Sequence, residues 1–185
     1  MSEAKATQNN EEINIFEEIL DWIEAILFSV FIAVTFFTFI LKPAEVDGPS
    51  MLPTLHDGDK ILTSSMFYNP KAGDIVTLNC TALNESIVKR VIATEGQTVD
   101  IDFEAGKVYV DGEEQYEPFI NDITTRDLGA FEYPVTVPEN CVFVMGDNRN
   151  NSTDSRSPYV GFVNKEDIWG RAVFRVYPFD SFGKL

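Results

Sequence analysis

Val46-Asp47-Gly48-Pro49-Ser50-Met51-Leu52-Pro53-Thr54-Leu55-His56-Asp57-Gly58-Asp59 is the stretch from which the rest of this 185-residue chain is read. Gly48 lets another backbone approach closely, and Pro49 and Pro53 fix φ on either side of Ser50. A serine pinned in this way can act as a nucleophile, because the backbone dictates where its hydroxyl points. The plain alternative is a loop serine between two turns. Chemistry elsewhere in the chain has to choose between them.

The first constraint on that choice is histidine. His56 is the only one, six residues after Ser50 and directly before Asp57-Gly58. A Ser-His-Asp triad needs an imidazole facing the serine and oriented by a carboxylate, whereas His56 belongs to a turn. If Ser50 is a nucleophile, lysine is the remaining usual base. The chain has eight lysines, and most stand beside Gly, Pro, Asp or Glu in turns or near an end. Lys89 is different: it lies in Ile87-Val88-Lys89-Arg90-Val91-Ile92, where strand alternation puts Ile87, Lys89 and Val91 on one face. Burial among such groups destabilises the ammonium form and makes a base of the amine. A lysine on a sheet edge with its amine in water is the alternative, and Lys60, which ends the Asp-Gly-Asp turn, is the rival.

Upstream of Ser50 the chain changes character. Residues 1–22 are polar and acidic, with six carboxylates against Lys5 alone, and the opening to Asn10 is expected to be unstructured. From Ile13 apolar residues fall at helical spacing. Ala25–Leu41 is 17 residues without a charge. At ~1.5 Å per residue it reaches ~26 Å, enough for a membrane span. We therefore expect a tail at 1–22, a transmembrane helix at 23–41 and a domain at 42–185. The run is not expected to be a removable leader, because a basic front is missing and Lys42-Pro43 stands where small residues would be cut. Lys5 before the span, with Lys42 and Lys60 after it, leaves orientation open. Ser50 follows Leu41 by nine residues, at most ~30 Å of extended chain, so the serine is tethered near a bilayer.

Beyond Asp59 the pattern is β. Lys60–Thr63, Ile75–Asn79, Ile87–Ala93, Gly106–Val110, Glu113–Tyr116, Pro134–Val137, Cys141–Met145 and Ala172–Tyr177 read as strands. Asp111-Gly112 supplies a tight hairpin turn. Residues 117–134 carry no period and read as a long loop or small lobe. The formal net charge of −16 and the lack of a basic patch argue against nucleic acid as a partner. Cys80 and Cys141 have neither metal-site nor redox spacing. They form one disulfide outside the cytoplasm or remain two buried thiols, and we favour the thiols. No metal or cofactor is implied.

After the strand ending at Met145 comes Gly146-Asp147-Asn148-Arg149-Asn150-Asn151-Ser152-Thr153-Asp154-Ser155-Arg156, a loop that bidentate Asp–Arg pairs could hold rigidly. Taken in order, Ser50–Leu55, Val88–Ile92 and Gly146–Arg156 resemble the motifs of bacterial type I signal peptidases. The single-span form is similar to that of Gram-positive bacteria, and the resemblance covers about Phe16 to Phe179. It implies a mainly β fold of coiled antiparallel sheets, with a core at 42–100 and 138–180 and a small variable lobe at 101–137. It also implies a membrane-bound serine endopeptidase on the outer face of the cell membrane. Such an enzyme removes signal peptides after small residues from preproteins emerging from the export machinery.

By motif position Ser50 looks like the nucleophile and Lys89 like the general base. Ser152 matches the serine that orients the amine. Asp154 with Arg156, and Asp147 with Arg90, look like supporting ion pairs. We expect Val46, Leu55 and Ile87 to wall a shallow pocket for the residue before the cut. Asp47, Gly48, Pro49, Met51 and Val88 complete the substrate-binding set, with the substrate adding as a strand beside Val46–Pro49. Two positions depart from part of the family. Gly48 stands where some members carry an oxyanion-hole serine, leaving Ser50 N–H with a water or another amide. Pro49 has no N–H to donate. The competing readings are a self-cleaving Ser-Lys protease of the repressor type, a specialised peptidase for pilin-like substrates, and a non-catalytic anchored β-domain. The span and the Gly146–Arg156 loop argue against the first.

Overall fold

A computed structural model describes residues 2–66 and 68–185. The chain divides into two compact units, Met1–Ile40 and Leu41–Leu185. The first is a single helix, α1, over Ser2–Phe39. Its segment Ile15–Thr38 is 24 residues long and apolar enough to cross a membrane. The helix starts earlier than expected, for the opening to Asn10 is helical too. Once a long helix is nucleated, each added residue gains a hydrogen bond at little cost, and Ala4, Lys5 and Ala6 favour helix.

Among its described residues the second unit has twelve strands in two antiparallel sheets. They are β1 (Leu41–Glu45), β2 (Lys60–Ser64), β3 (Ile75–Cys80), β4 (Glu85–Thr94), β5 (Thr98–Asp102), β6 (Lys107–Val110), β7 (Glu113–Glu114), β8 (Val135–Thr136), β9 (Cys141–Met145), β10 (Val163–Asn164), β11 (Ile168–Tyr177) and β12 (Gly183–Lys184). The larger sheet runs β1-β2-β11-β3-β4-β9-β10, with β12 on β11; the smaller runs β7-β6-β5-β8. Pro43 does not simply end the helix, for it lies inside β1. It is tolerated there because β1 is an edge strand, paired with β2 alone, and needs no N–H on its open side.

Period-two side-chain alternation builds the core. On β9, Cys141, Phe143 and Met145 enter a cluster with Ile92, Val99, Val108 and Val137. Val142 and Val144 enter a second cluster with Val76, Leu78, Ile87 and Val91. Being buried on both faces explains why this strand reads as an unbroken apolar run. β5 was not anticipated, although its burial alternates cleanly, with Val99 and Ile101 inside and Asp100 and Asp102 outside. The smaller sheet therefore begins at Thr98, a few residues before the lobe boundary read at 101. Asp111 and Gly112 have φ of 54° and 81°, the left-handed pair that a two-residue hairpin demands. Residues 117–134 contain neither helix nor strand, as expected.

Cys80 and Cys141 are both free and buried, packed in different clusters. We expect mass spectrometry under non-reducing, denaturing conditions with an alkylating agent to label two thiols per chain. In the native protein both should react slowly, because access requires opening the core.

Candidate active site

The Ser50 turn is held from below, from behind and from the flank. Below it, Met51 and Leu55 are fully buried in a cluster with Val46, Ile61, Ile75, Val88 and Ala172. Behind it, the Val46 N–H donates to Asp59 O and the Gly58 N–H to Val46 O, both at 2.9 Å, closing a loop around the turn. Gly48 has φ +78°, a conformation that strains any residue with a Cβ, and its N–H donates to Asp57 Oδ1 at 2.8 Å. Glycine is thus required at 48 by the backbone, and a serine would not fit without strain. On the flank, Asn148 donates its N–H to Ser50 O at 3.0 Å and its Nδ2 to Pro49 O at 3.1 Å. Arg175 Nη1 donates to Thr54 O and to Asp59 Oδ2, at 3.1 and 3.0 Å.

β4 delivers Lys89 to this turn. Its Nζ lies 2.9 Å from Ser50 Oγ and 2.9 Å from Val88 O, and the residue is 3% exposed. Burial pushes the amine down to about 8, against the opposing pull of Asp154 and then Glu85. Desolvation outweighs the nearby carboxylates because no carboxylate touches the amine.

The Gly146–Arg156 loop closes the third side, and its ion pairs are buried. Arg90 grips Asp147 with Nε on Oδ1 at 2.8 Å and Nη2 on Oδ2 at 2.6 Å, while Thr54 Oγ1 donates to the same carboxylate. Arg156 grips Asp154 through Nε and Nη2 at 2.9 and 2.8 Å, and Asp154 Oδ2 also accepts the Gly146 N–H at 3.0 Å. Gly146 is glycine for want of space. A Cβ there would sit 2.5 Å from Ser50 O and 2.6 Å from Ser152 Cβ.

Ser152 was expected to orient the lysine amine. It is buried in the right neighbourhood, but its Oγ has no hydrogen-bond partner among the described residues, and the amine's second acceptor is Val88 O instead. A cavity of about 500 Å³ opens beside the Ser50–Lys89 pair. Of the expected substrate-binding residues, Val46, Asp47, Ile87 and Val88 line it. Met51 and Leu55 do not, because their side chains point into the core beneath the turn. Gly48 and Pro49 lie in the turn without lining the cavity. The sequence reading missed Leu83, Glu85, Ser86, Asn151 and Thr153 on its walls. β4 explains part of this arrangement: Glu85–Lys89 pairs with β3 on one side, whereas pairing with β9 begins only at Arg90. One edge of that half-strand is open.

A serine hydroxyl against a buried amine, beside an open strand edge, is a peptidase arrangement, and the model of the family described as signal peptidase, peptidase S26, matches residues 19–177. The chain belongs to that family. Signal peptidase I of Bacillus amyloliquefaciens is 38% identical over 179 residues, covering 90% of this chain and 92% of that protein. Signal peptidase I S of Bacillus subtilis (strain 168) is 36% identical over 189 residues, covering 95% and 98%. A crystal structure of a signal peptidase I from Enterococcus faecalis V583 is 30% identical, with a TM-score of 0.48, covering 56% of this chain and 97% of that one. Membership of the signal peptidase family makes the protein a hydrolase, a serine endopeptidase that removes signal peptides.

Keeping Lys89 dry costs stability. In the unfolded chain the amine titrates at its ordinary 10.5, and in the folded chain at about 8. Between those values the unfolded state binds more protons, so stability rises with pH across that window. Below about pH 8 the full penalty of ~3 kcal/mol applies. Lys89→Met, close in volume, should therefore raise the urea midpoint at pH 7. Part of the gain, ~1 kcal/mol, is offset by the unpaired Val88 carbonyl, and the difference should shrink as the pH approaches 10.5.

Proposed function

We propose that Ser50 and Lys89 are the nucleophile and general base of this peptidase, and that it cuts preproteins after small residues in an Ala-x-Ala type of site. The observation that carries the reading is the 2.9 Å approach of Lys89 Nζ to Ser50 Oγ by an amine whose proton burial makes easier to lose, down to about 8. Neutral Lys89 takes the Ser50 proton as Oγ attacks the scissile carbonyl. The ammonium so formed returns the proton to the leaving amine, and the mature chain departs. A water then gives its proton to Lys89 as it attacks the ester carbonyl, which releases the signal peptide and restores Ser50. The oxyanion meets the Ser50 N–H, which has no acceptor among the described residues. The Gly48 N–H is already given to Asp57. Ser152 packs beside Gly146 in the loop that encloses the amine, with Asp154–Arg156 and Asp147–Arg90 keeping that loop rigid.

The substrate adds as a strand along the open edge of Glu85–Val88, facing Val46 and Asp47 across the cavity. Val46, Ile87 and Val88 give the pocket apolar walls, and Met51 and Leu55 set its depth from within the core. Shallow apolar walls accept Ala and exclude bulk. The apolar segment Ile15–Thr38 of α1, rather than 23–41, crosses the bilayer, with the tail before it cytoplasmic, and the unit from Leu41 onward carries the site on the extracytoplasmic face. There preproteins emerge from the export machinery.

Ser50→Ala, Lys89→Met and Lys89→Arg should each abolish preprotein cleavage in detergent, the last because a guanidinium keeps its proton at working pH. His56→Ala should keep most of its activity. The acid limb of kcat/KM should fall near pH 8, with activity rising through that value as Lys89 loses its proton. An acid limb near the ordinary lysine value, or substantial activity in Lys89→Arg, would sink the dyad. For topology, protease added to intact spheroplasts should digest the domain after Pro43 and spare the tail before Ile15. The reverse pattern would invert the orientation.

A further inference from the structure

Glu117 lies in the strandless segment between β7 and β8, yet its carboxylate takes both terminal nitrogens of Arg149, at 2.7 Å from Nη1 and 2.6 Å from Nη2. Thr124 Oγ1 accepts a further bond from Nη1 at 3.0 Å, and Arg149 Nε donates to Gly146 O at 3.1 Å. Arg149 is fully buried and the Glu117 side chain is 7% exposed. Phe119, two residues along, lies under two guanidinium groups, Arg90 at 4.0 Å and Arg149 at 5.9 Å from its ring centroid. The small lobe is thus clamped to the catalytic loop by buried charge.

We propose that Glu117 is a positioning residue for catalysis, acting through Arg149 on Gly146, so that the small lobe is a working part of the site. The inference rests on the reading of Ser50 and Lys89 as the dyad. Gly146 is the pivot. It is the position where the Ser50 carbonyl and the Ser152 side chain approach too closely for any Cβ, so moving it moves both.

The Gly146 peptide groups are held from two directions. Its N–H goes to Asp154, and its carbonyl receives Arg149. Asp154 obtains its counter-charge within the loop, from Arg156. Among the described residues Arg149 obtains its own from Glu117 alone. Arg149 O in turn accepts from Arg156 Nη2 at 2.6 Å, which joins the two arginines into one frame. Removing the Glu117 charge leaves a buried guanidinium without a carboxylate, a strongly unfavourable state. The loop then relaxes around Arg149, and Gly146 with it. Displacing a catalytic group by ~1 Å costs ~100-fold in rate. Glu117, Arg149 and Gly146 do not line the substrate cavity, so the loss should fall on kcat and spare KM.

The test uses the full chain in detergent with a preprotein substrate, comparing wild type, Ser50→Ala, Glu117→Gln and the double variant Glu117→Leu/Arg149→Met. Glu117→Gln keeps the shape and one acceptor while removing the charge; its kcat should fall ~10-fold or more with KM within ~2-fold. The double variant removes both buried charges, so its melting temperature should return close to wild type. Its kcat should stay low, because no side chain at 149 then donates to Gly146 O. Recovery of kcat together with stability in the double variant would show a merely structural pair and overturn the inference. So would an unchanged kcat in Glu117→Gln, or a loss confined to KM. Cleavage by Ser50→Ala in the same assay would instead sink the dyad reading, and this inference with it.

Discussion

A primary amine with almost no water around it is the constraint on which the second unit depends. Lys89 is surrounded by strand, by the Ser50 turn and by the Gly146–Arg156 loop, and each excludes solvent from a different side. Water admitted from any of them would stabilise the ammonium and return the amine to its ordinary titration. The three motifs are far apart in sequence because enclosure needs walls from several directions. The two acceptors of the amine, Ser50 Oγ and Val88 O, are neutral. A carboxylate in contact would satisfy the same N–H groups and hold the proton, and Asp154 and Asp147 are instead taken up by Arg156 and Arg90.

Those arginines are expensive components. Arg149 and Arg156 are among the largest fully buried side chains of the molecule, and burying an ion pair is at best weakly stabilising against an apolar replacement. What they provide is directional: planar forks fix both oxygens of a carboxylate and, through Nε and the remaining nitrogens, backbone carbonyls of the loop itself. An apolar core could fill the same volume, but it could not set the peptide plane of Gly146. The loop is rigid because it is charged inside.

Much of this was legible in the residues. β4 and β9 declared themselves through alternation and apolar runs, the helix through its uncharged length, and Lys89 through its mid-strand place on a face with Ile87 and Val91, where the other strand lysines stand beside turns or near an end. His56, set aside for its turn, is exposed and does not line the cavity. The misreadings have physical causes. Met51 and Leu55 sit beside the nucleophile in sequence, but a turn sends neighbouring side chains in opposite directions, and theirs went inward. Glu117 belongs to a stretch without period, and its partner is 32 residues away, so nothing local advertised the pair. Arg149 was visible only as one of two arginines in a polar loop. Val88 was read as a substrate contact, while its carbonyl, which no side-chain pattern reports, holds the amine. β1 was hidden by Pro43, which argues against a strand everywhere except at an edge.

The open half of β4 has a further consequence, for solution behaviour. A strand edge with unmet N–H and C=O groups will accept any extended chain, including the same edge of a second molecule. Glu85 and Ser86, exposed at its outer end, place a carboxylate where two such edges would have to meet, and the chain as a whole carries −16. Mutual repulsion therefore guards against aggregation. It is a guard that salt weakens, since at ~1 M ionic strength exposed charges more than ~3 Å apart are largely screened. Purification at high salt is then the condition under which this molecule is most prone to stick to itself, edge to edge.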